Sequence, residues 1–193
     1  MKENSKRRIQ AEETRDRIYK SAIYLMKTKG YENFTVSEVC RNAGVSVGSF
    51  YSYFVTKYDI LVEIFKKADD YFKDVVEEHL MKGNGLDDIV LYFRYYGMYI
   101  NMTGTDLQRQ LFSPKSKMYA AQARYMVELL RKVVARGQEI GDITNDMTTD
   151  EIMDLLLITA RGVSFDWCVK DGEYDVISRI EDYTRKLTSI LKP

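Results

Sequence analysis

Three features of this sequence predict an all-α protein. Apolar residues recur at spacings of three and four along nearly the whole chain, and the only prolines are Pro114 and the terminal Pro193. Capping residues of the Ser/Thr type also stand just before several of the apolar-periodic segments, at Thr35, Ser46 and Thr56. No internal repeat or low-complexity stretch interrupts the pattern.

The first eleven residues, MKENSKRRIQA, are polar and basic, and read as a flexible tail over 1–11, with a minor-groove arm as the alternative. From Glu12, EETRDRIYKSAIYLMKTKG sets Ile18, Ala22, Leu25 and Met26 on one face, carries acids in its first turn and stops at Gly30: a first helix. Thr35-Val36-Ser37-Glu38 has the spacing of a capping box and opens a second helix ending near Asn42. Ala43-Gly44-Val45 makes a tight turn, Ser46 caps a third helix, and Thr56 with Asp59 starts a long fourth that runs past Phe72. Short helices on either side of a glycine turn are a helix-turn-helix pattern. Beyond Gly83-Asn84-Gly85, helical patterns cover roughly Leu86 to Met102, Asp106 to Phe112, Lys115 to Gln138, Thr149 to Val169 and Tyr174 to Leu191, with turns at Gly141-Asp142 and Asp171-Gly172.

Composition excludes more than it selects. One histidine, His79, and two distant cysteines, Cys40 and Cys168, leave little for zinc or histidine chemistry, so no metal or cofactor is expected; the cysteines read as buried thiols and the histidine as an exposed helical side chain. The longest uncharged run, Asn42 to Thr56, is too short and too polar to span a membrane, and no apolar signal core opens the chain, which argues for the cytoplasm. Neither paired carboxylates in a recognisable motif nor a phosphate loop is present, which counts against an enzyme. Net charge is zero over 193 residues, yet Met1 to Lys57 holds 11 Lys/Arg against 6 Asp/Glu. That positive end can meet phosphate.

The segment VSVGSFYSYF, Val45 to Phe54, carries the functional argument. At 100° per residue from Ser46, Phe50 and Phe54 fall at about 40° and 80° and anchor the helix inward. Gly48, Ser52 and Ser49 fall at about 200°, 240° and 300°, so the outward face is made of small side chains. Tyr51 and Tyr53 flank it. A B-DNA major groove, about 12 Å wide, admits one helix with bases on the floor and phosphates at the edges. On this reading Val47, Gly48 and Ser49 meet bases, while the Tyr51 and Tyr53 hydroxyls, Thr35 and Lys57 meet phosphate, with Ser37 and Ser52 in the same DNA-facing set. The alternative is that the tyrosines cover the edge of the core and the serines are merely solvated.

From TVSEVCRNAGVSVGSFYSYFVTKYDILVEIF the chain resembles the DNA-binding module of TetR-type transcriptional repressors. The agreement is ordered: Thr heading the second helix, A-G-V before the third, G-S-F-Y-x-Y-F within it, then T-K-x-D-I-L. It covers about fifty residues of this chain. The resemblance implies a homodimer on a palindromic operator and a C-terminal helical domain that holds an effector and forms the dimer. By position, Thr35, Ser46, Tyr53 and Lys57 resemble the family's capping and phosphate contacts, and Val47, Gly48, Ser49 and Tyr51 its groove-facing set. Val47 and Val55 depart from the polar residues many members carry there, shifting base readout toward van der Waals contact.

In the second half, Ile177, Ile180, Thr184, Leu187 and Leu191 form one stripe, and Leu155, Thr159 and Val163, with Gly162 permitting close approach, belong to another on the preceding helix. By resemblance these two helices from each subunit make the dimer interface; ordinary core is the alternative. Tyr95, Met98, Tyr99, Met102, Phe112, Tyr119, Met126, Phe165 and Trp167 are the candidate effector pocket, again with filled core as the alternative. Arg94, Arg109 and Arg124 are candidates for an anionic group on such a ligand. The expectation is a DNA-binding domain over 12–57, an effector-binding and dimerisation domain over 58–193, and a repressor released from its operator by a small, largely apolar molecule. An architectural DNA-binding protein of the same fold without an effector is the rival.

Overall fold

The computed structural model describes residues 2–112 and 124–193. Every regular element among the described residues is helical, as the apolar periodicity requires, and the chain divides into two compact units, Met1–Phe65 and Lys66–Pro193.

In the first unit, α1 runs Lys2–Lys29, so helix extends some ten residues ahead of the expected start at Glu12. Its extension holds no glycine or proline, and Arg8 pairs with Glu12 one turn on at 3.2 Å, as a helical stretch favours. A short 3-10 turn, Tyr31–Asn33, leads to α2, Val36–Ala43, whose capping box is complete: Thr35 Oγ1 accepts from Glu38 N at 3.2 Å and Glu38 accepts from Thr35 N at 2.8 Å. Gly44 closes α2 in the left-handed region at φ 65°, which a Cβ would make costly, and Val45 N returns to Cys40 O at 3.0 Å. Then α3 spans Val47–Tyr53, with Ser46 Oγ accepting from Ser49 N at 3.0 Å. The start of α4, Tyr58–Tyr71, completes the unit. Ile18, Ala22, Met26, Val39, Phe50, Phe54, Ile60 and Ile64 form its buried interior, and Ser21 Oγ donates to Val39 O at 2.9 Å, tying α1 to α2. Arg15 pairs with the buried Glu63 at 2.6 Å.

In the second unit the helix of α4 continues as a π turn over Phe72–Val76 and a 3-10 turn over Glu77–His79. Next come α5 (Gly85–Thr103), α6 (Thr105–Leu111), α7 (Tyr125–Glu139), α8 (Thr149–Val169) and α9 (Val176–Thr188). Phe72, Ile89, Tyr92, Phe93, Leu130, Val134, Ile152, Val176 and Ile180 are wholly buried around α5. Gly97 lets α9 approach closely: a Cβ there would lie 3.1 Å from Ile177 Cα. A second capping box, Thr148 with Glu151, starts α8 at the residue its sequence spacing predicts.

Four members of the expected dimer set belong to this unit's own core. Val163, Ile180, Thr184 and Leu191 are buried, and Thr184 Oγ1 donates inward to Ile180 O at 2.8 Å. An amphipathic stripe has the same composition whether it meets its own chain or a second copy, so periodicity could not separate the two. Leu155, Thr159, Ile177 and Leu187 are half-buried and Gly162 is exposed. The apolar groups left outward on α8 are Ile158, Phe165 and Val169, 65%, 54% and 62% exposed. Together with Leu155 and Gly162 they step along one face at spacings of three and four.

Candidate functional site

Phe50 and Phe54 place the rest of α3. Both rings are buried to 1% exposure and pack on one another at 5.7 Å, which fixes the helix's rotation. With that face inward, Val47, Gly48, Tyr51 and Ser52 are exposed, and Ser49 and Tyr53 are partly so. Thr35, Ser37 and Ser46 are exposed as well. The hydroxyls are engaged locally: Ser52 Oγ donates to Gly48 O at 3.0 Å, while the Thr35 and Ser46 oxygens serve as helix caps. The Tyr51 ring meets the edge of Phe50 at 5.4 Å and is otherwise half in solvent.

Gly48, like Gly162, is a helical glycine that the described residues do not crowd. A Cβ at Gly85 or Gly97 would crowd another helix's backbone, whereas one at Gly48 would find nothing nearer than Ser46 Oγ at 3.8 Å. The fold of the free chain does not need this glycine, although glycine weakens a helix by roughly 1 kcal/mol relative to alanine.

Lys57 departs from the outward role expected of it. Its ammonium donates to Phe34 O and sits over the rings of Tyr31 and Phe34, and loss of solvent there lowers its pKa. Sequence spacing puts Lys57 at the head of α4 but is silent about a carbonyl supplied 23 residues earlier.

Eight of the nine candidate pocket residues fall into three places. Tyr95 and Tyr99 of α5 pack around Tyr71 at 6.5 and 5.5 Å between ring centres, and Tyr95 stacks on His79 at 5.6 Å. Met98 and Met102 stand on the same side of α5, exposed. Phe112 and Phe165 meet edge to face at 5.7 Å and, with Arg109, Cys168 and Val169, line a recess of about 160 Å³. Met126 and Trp167 are part of the filled core, the indole N–H donating to Tyr174 O at 3.0 Å. Tyr119 lies outside the described residues. Tyr71, His79 and Cys168 were missed as partners because only folding brings α4 beside α5 and α6 beside α8.

The candidate cations have carboxylate partners. Arg94 pairs with Glu181 at 2.8 Å, Arg124 with Asp69 at 3.4 Å, and Arg109 with Asp171 and Asp106, so the recess has no excess positive charge at Arg109. Cys40 and Cys168 are buried free thiols, and burial raises both pKa values, Cys168 to about 11.

A capped helix, a left-handed glycine turn and a second helix showing a narrow small-residue face define a helix-turn-helix DNA-binding protein. Residues 18–64 match the family model for bacterial regulatory proteins of the tetR family. Over these residues the chain carries the DNA-binding module of that family, and it is a DNA-binding transcriptional regulator. Among curated relatives it is 22% identical over 169 residues to the fatty acid metabolism regulator protein of Bacillus subtilis, covering 83% of this chain and 87% of that one. It is 25% identical over 154 residues to the biofilm operon icaADBC HTH-type negative transcriptional regulator IcaR of Staphylococcus aureus, covering 75% and 78%. A solved structure of the same fold is FadR from Bacillus subtilis in complex with stearoyl-CoA, with TM-score 0.76, 21% identity and coverage of 89% of this chain and 95% of that one. Among the described residues no helix is long and apolar enough to cross a membrane.

Proposed function

We propose that this chain is a cytoplasmic, homodimeric repressor, not an enzyme, that grips an inverted-repeat operator with paired α3 helices and lets go when a long-chain acyl thioester or similar, largely apolar molecule binds its second unit. The observation that carries the DNA-binding part is the outward face of α3. Buried Phe50 and Phe54 leave Val47, Gly48, Ser49 and Ser52 facing out, slim enough for the backbone to approach base edges. Tyr51, Tyr53, Thr35, Ser37 and Ser46 supply hydroxyls at its margins for phosphate.

The stripe of half-buried Leu155 and exposed Ile158, Gly162, Phe165 and Val169 on α8 supports association with a second copy. Among the described residues nothing lies within 4 Å of a Cβ on Gly162, so their packing does not require this glycine, as it does not require Gly48. Two bound copies place their α3 helices one helical repeat apart, ~34 Å. The effector class rests on the acyl-CoA named for the Bacillus subtilis structure and on the aromatic and thioether groups of α5 and α6. A ligand that prefers a conformation with a different α3 spacing weakens DNA binding by linkage.

Selection of bound sites from random DNA, followed by titration of stearoyl-CoA against the selected site, tests the reading. An inverted repeat whose binding weakens with salt and with stearoyl-CoA is expected. A single asymmetric site would overturn the dimer model. The architectural reading keeps one observation in its favour, that Met126 and Trp167 fill the core and the recess is small. It predicts that no acyl thioester raises the melting temperature.

A further inference from the structure

The outward face of α3 is short of groups that tell one base pair from another. Its seven residues, Val47 to Tyr53, include no Arg, Lys, Asn or Gln, so none of its side chains can make the bidentate hydrogen bonds that single out guanine or adenine in the major groove. A serine hydroxyl donates or accepts as required and discriminates little between bases. Two hydroxyl protons are also engaged locally: Ser52 Oγ donates to Gly48 O at 3.0 Å, and Ser46 Oγ donates to Ser49 Oγ at 3.2 Å. One side chain of α3 carries methyl groups. It is Val47, 44% exposed at the head of the helix and next to the bare backbone of Gly48.

Resting on the DNA-binding function proposed above, we infer that Val47 is a specificity-determining residue that reads the C5-methyl group of a thymine in each half-site. Val47 contributes little to the fold of the free unit, because it stays outside the buried interior and valine favours helix less than alanine does. Gly48 beside it is costlier still in a helix, so two successive positions serve something other than the stability of the free unit. Valine suits a methyl contact. Its branched side chain has one strongly preferred χ1 in a helix, so its methyl groups are held in place with little rotamer freedom left to lose on binding. The missing Cβ of Gly48 lets the backbone come near enough for those groups to reach the groove floor. Of the four bases only thymine offers a methyl group there, and covering it removes apolar surface of both partners from water. Base discrimination by α3 is therefore apolar, while contacts to phosphate fix its position.

The test uses the full chain and the DNA site it selects from random sequence. Each thymine of that site is replaced by deoxyuridine in both half-sites, which deletes the methyl group and leaves base pairing and phosphates unchanged. In fluorescence anisotropy at least one such replacement weakens binding of the parent by about tenfold, from about fourfold per methyl group. This scan of the parent needs no variant to fold. In Val47→Ala, whose unfolding midpoint matches or exceeds the parent's, affinity for the thymine site falls and the same replacement costs less than about twofold. The salt slope keeps the parent's value, since no charge has changed. Val55→Ala, at the exposed valine just beyond α3, retains the thymine effect. An inverted repeat bound equally well with every deoxyuridine overturns the inference and leaves the proposed function standing. So does a thymine effect that survives in Val47→Ala or is lost equally in Val55→Ala. A parent that selects no inverted repeat overturns the proposed function and the inference together.

Discussion

Lys57 Nζ donates to the carbonyl of Phe34 at 2.9 Å, with the rings of Tyr31 and Phe34 at 4.5 and 4.2 Å. The lysine thus joins the head of α4 to the segment before α2. In Lys57→Met the stem stays and the cation goes, so the free protein loses about 1–2 kcal/mol in urea unfolding. The salt dependence of DNA binding distinguishes two bound states. If Lys57 leaves its carbonyl for a phosphate, the slope of log affinity against log salt falls by about one in the variant. If it stays in the cage, the slope matches the parent's.

Gly48→Ala separates folding from binding. The new methyl meets only Ser46 Oγ at 3.8 Å, so unfolding stability is unchanged or raised by up to about 1 kcal/mol. DNA affinity falls about tenfold or more, because the methyl holds the α3 backbone away from the base edges. Parent-like affinity in a filter or anisotropy assay would remove Gly48 from the interface.

Two helix-interior glycines of the second unit should respond oppositely. Gly97→Ala drives a methyl to 3.1 Å from Ile177 Cα and lowers stability by about 1–3 kcal/mol in denaturant unfolding. Gly162→Ala meets nothing among the described residues, so monomer stability does not fall, while sedimentation equilibrium shows a weaker dimer. Unaltered association in Gly162→Ala would move the dimer face off this part of α8.

Glu38 controls part of the acid response. Its hydrogen bond from Lys29, at 2.6 Å, and those from Thr35 hold its carboxyl at about 2, below the ordinary 4.5. The folded state therefore binds this proton less readily than the unfolded chain, and the contribution is present above about pH 4.5 and lost as pH falls toward 2. Glu38→Gln removes it. The expected result is a shallower loss of stability between those values than in the parent, measured by urea midpoints across the acid range.

Thiol labelling checks the interior. Burial raises the Cys168 pKa to about 11, so it reacts with a disulfide reagent at neutral pH far more slowly than in denaturant. Prompt labelling would mean that the recess opens as far as the sulfur.

Much of the architecture was legible because it is local. Caps at Thr35 and Ser46, the left-handed Gly44 and the apolar periodicity each act within about one helical turn, and each recurs where the spacing puts it. The rotation of α3 was legible too, since two phenylalanines four apart leave a short helix one way to face. Pocket residues were not, because Tyr95 and Trp167 look alike as aromatics on helices, and only their neighbours separate a half-open cluster from filled core.

By itself, then, the sequence determined an all-helical chain with a helix-turn-helix and the face that α3 shows outward, since those depend on contacts a few residues long. Tertiary structure alone decided that Ile180 and Leu191 turn inward while Ile158 and Phe165 stay out, that Lys57 rests on Phe34, and that Asp69 caps a helix 57 residues away. The physical reason is common to all three. Burial and hydrogen bonding are satisfied by whichever group the fold brings near, and sequence spacing carries no record of which helix that will be.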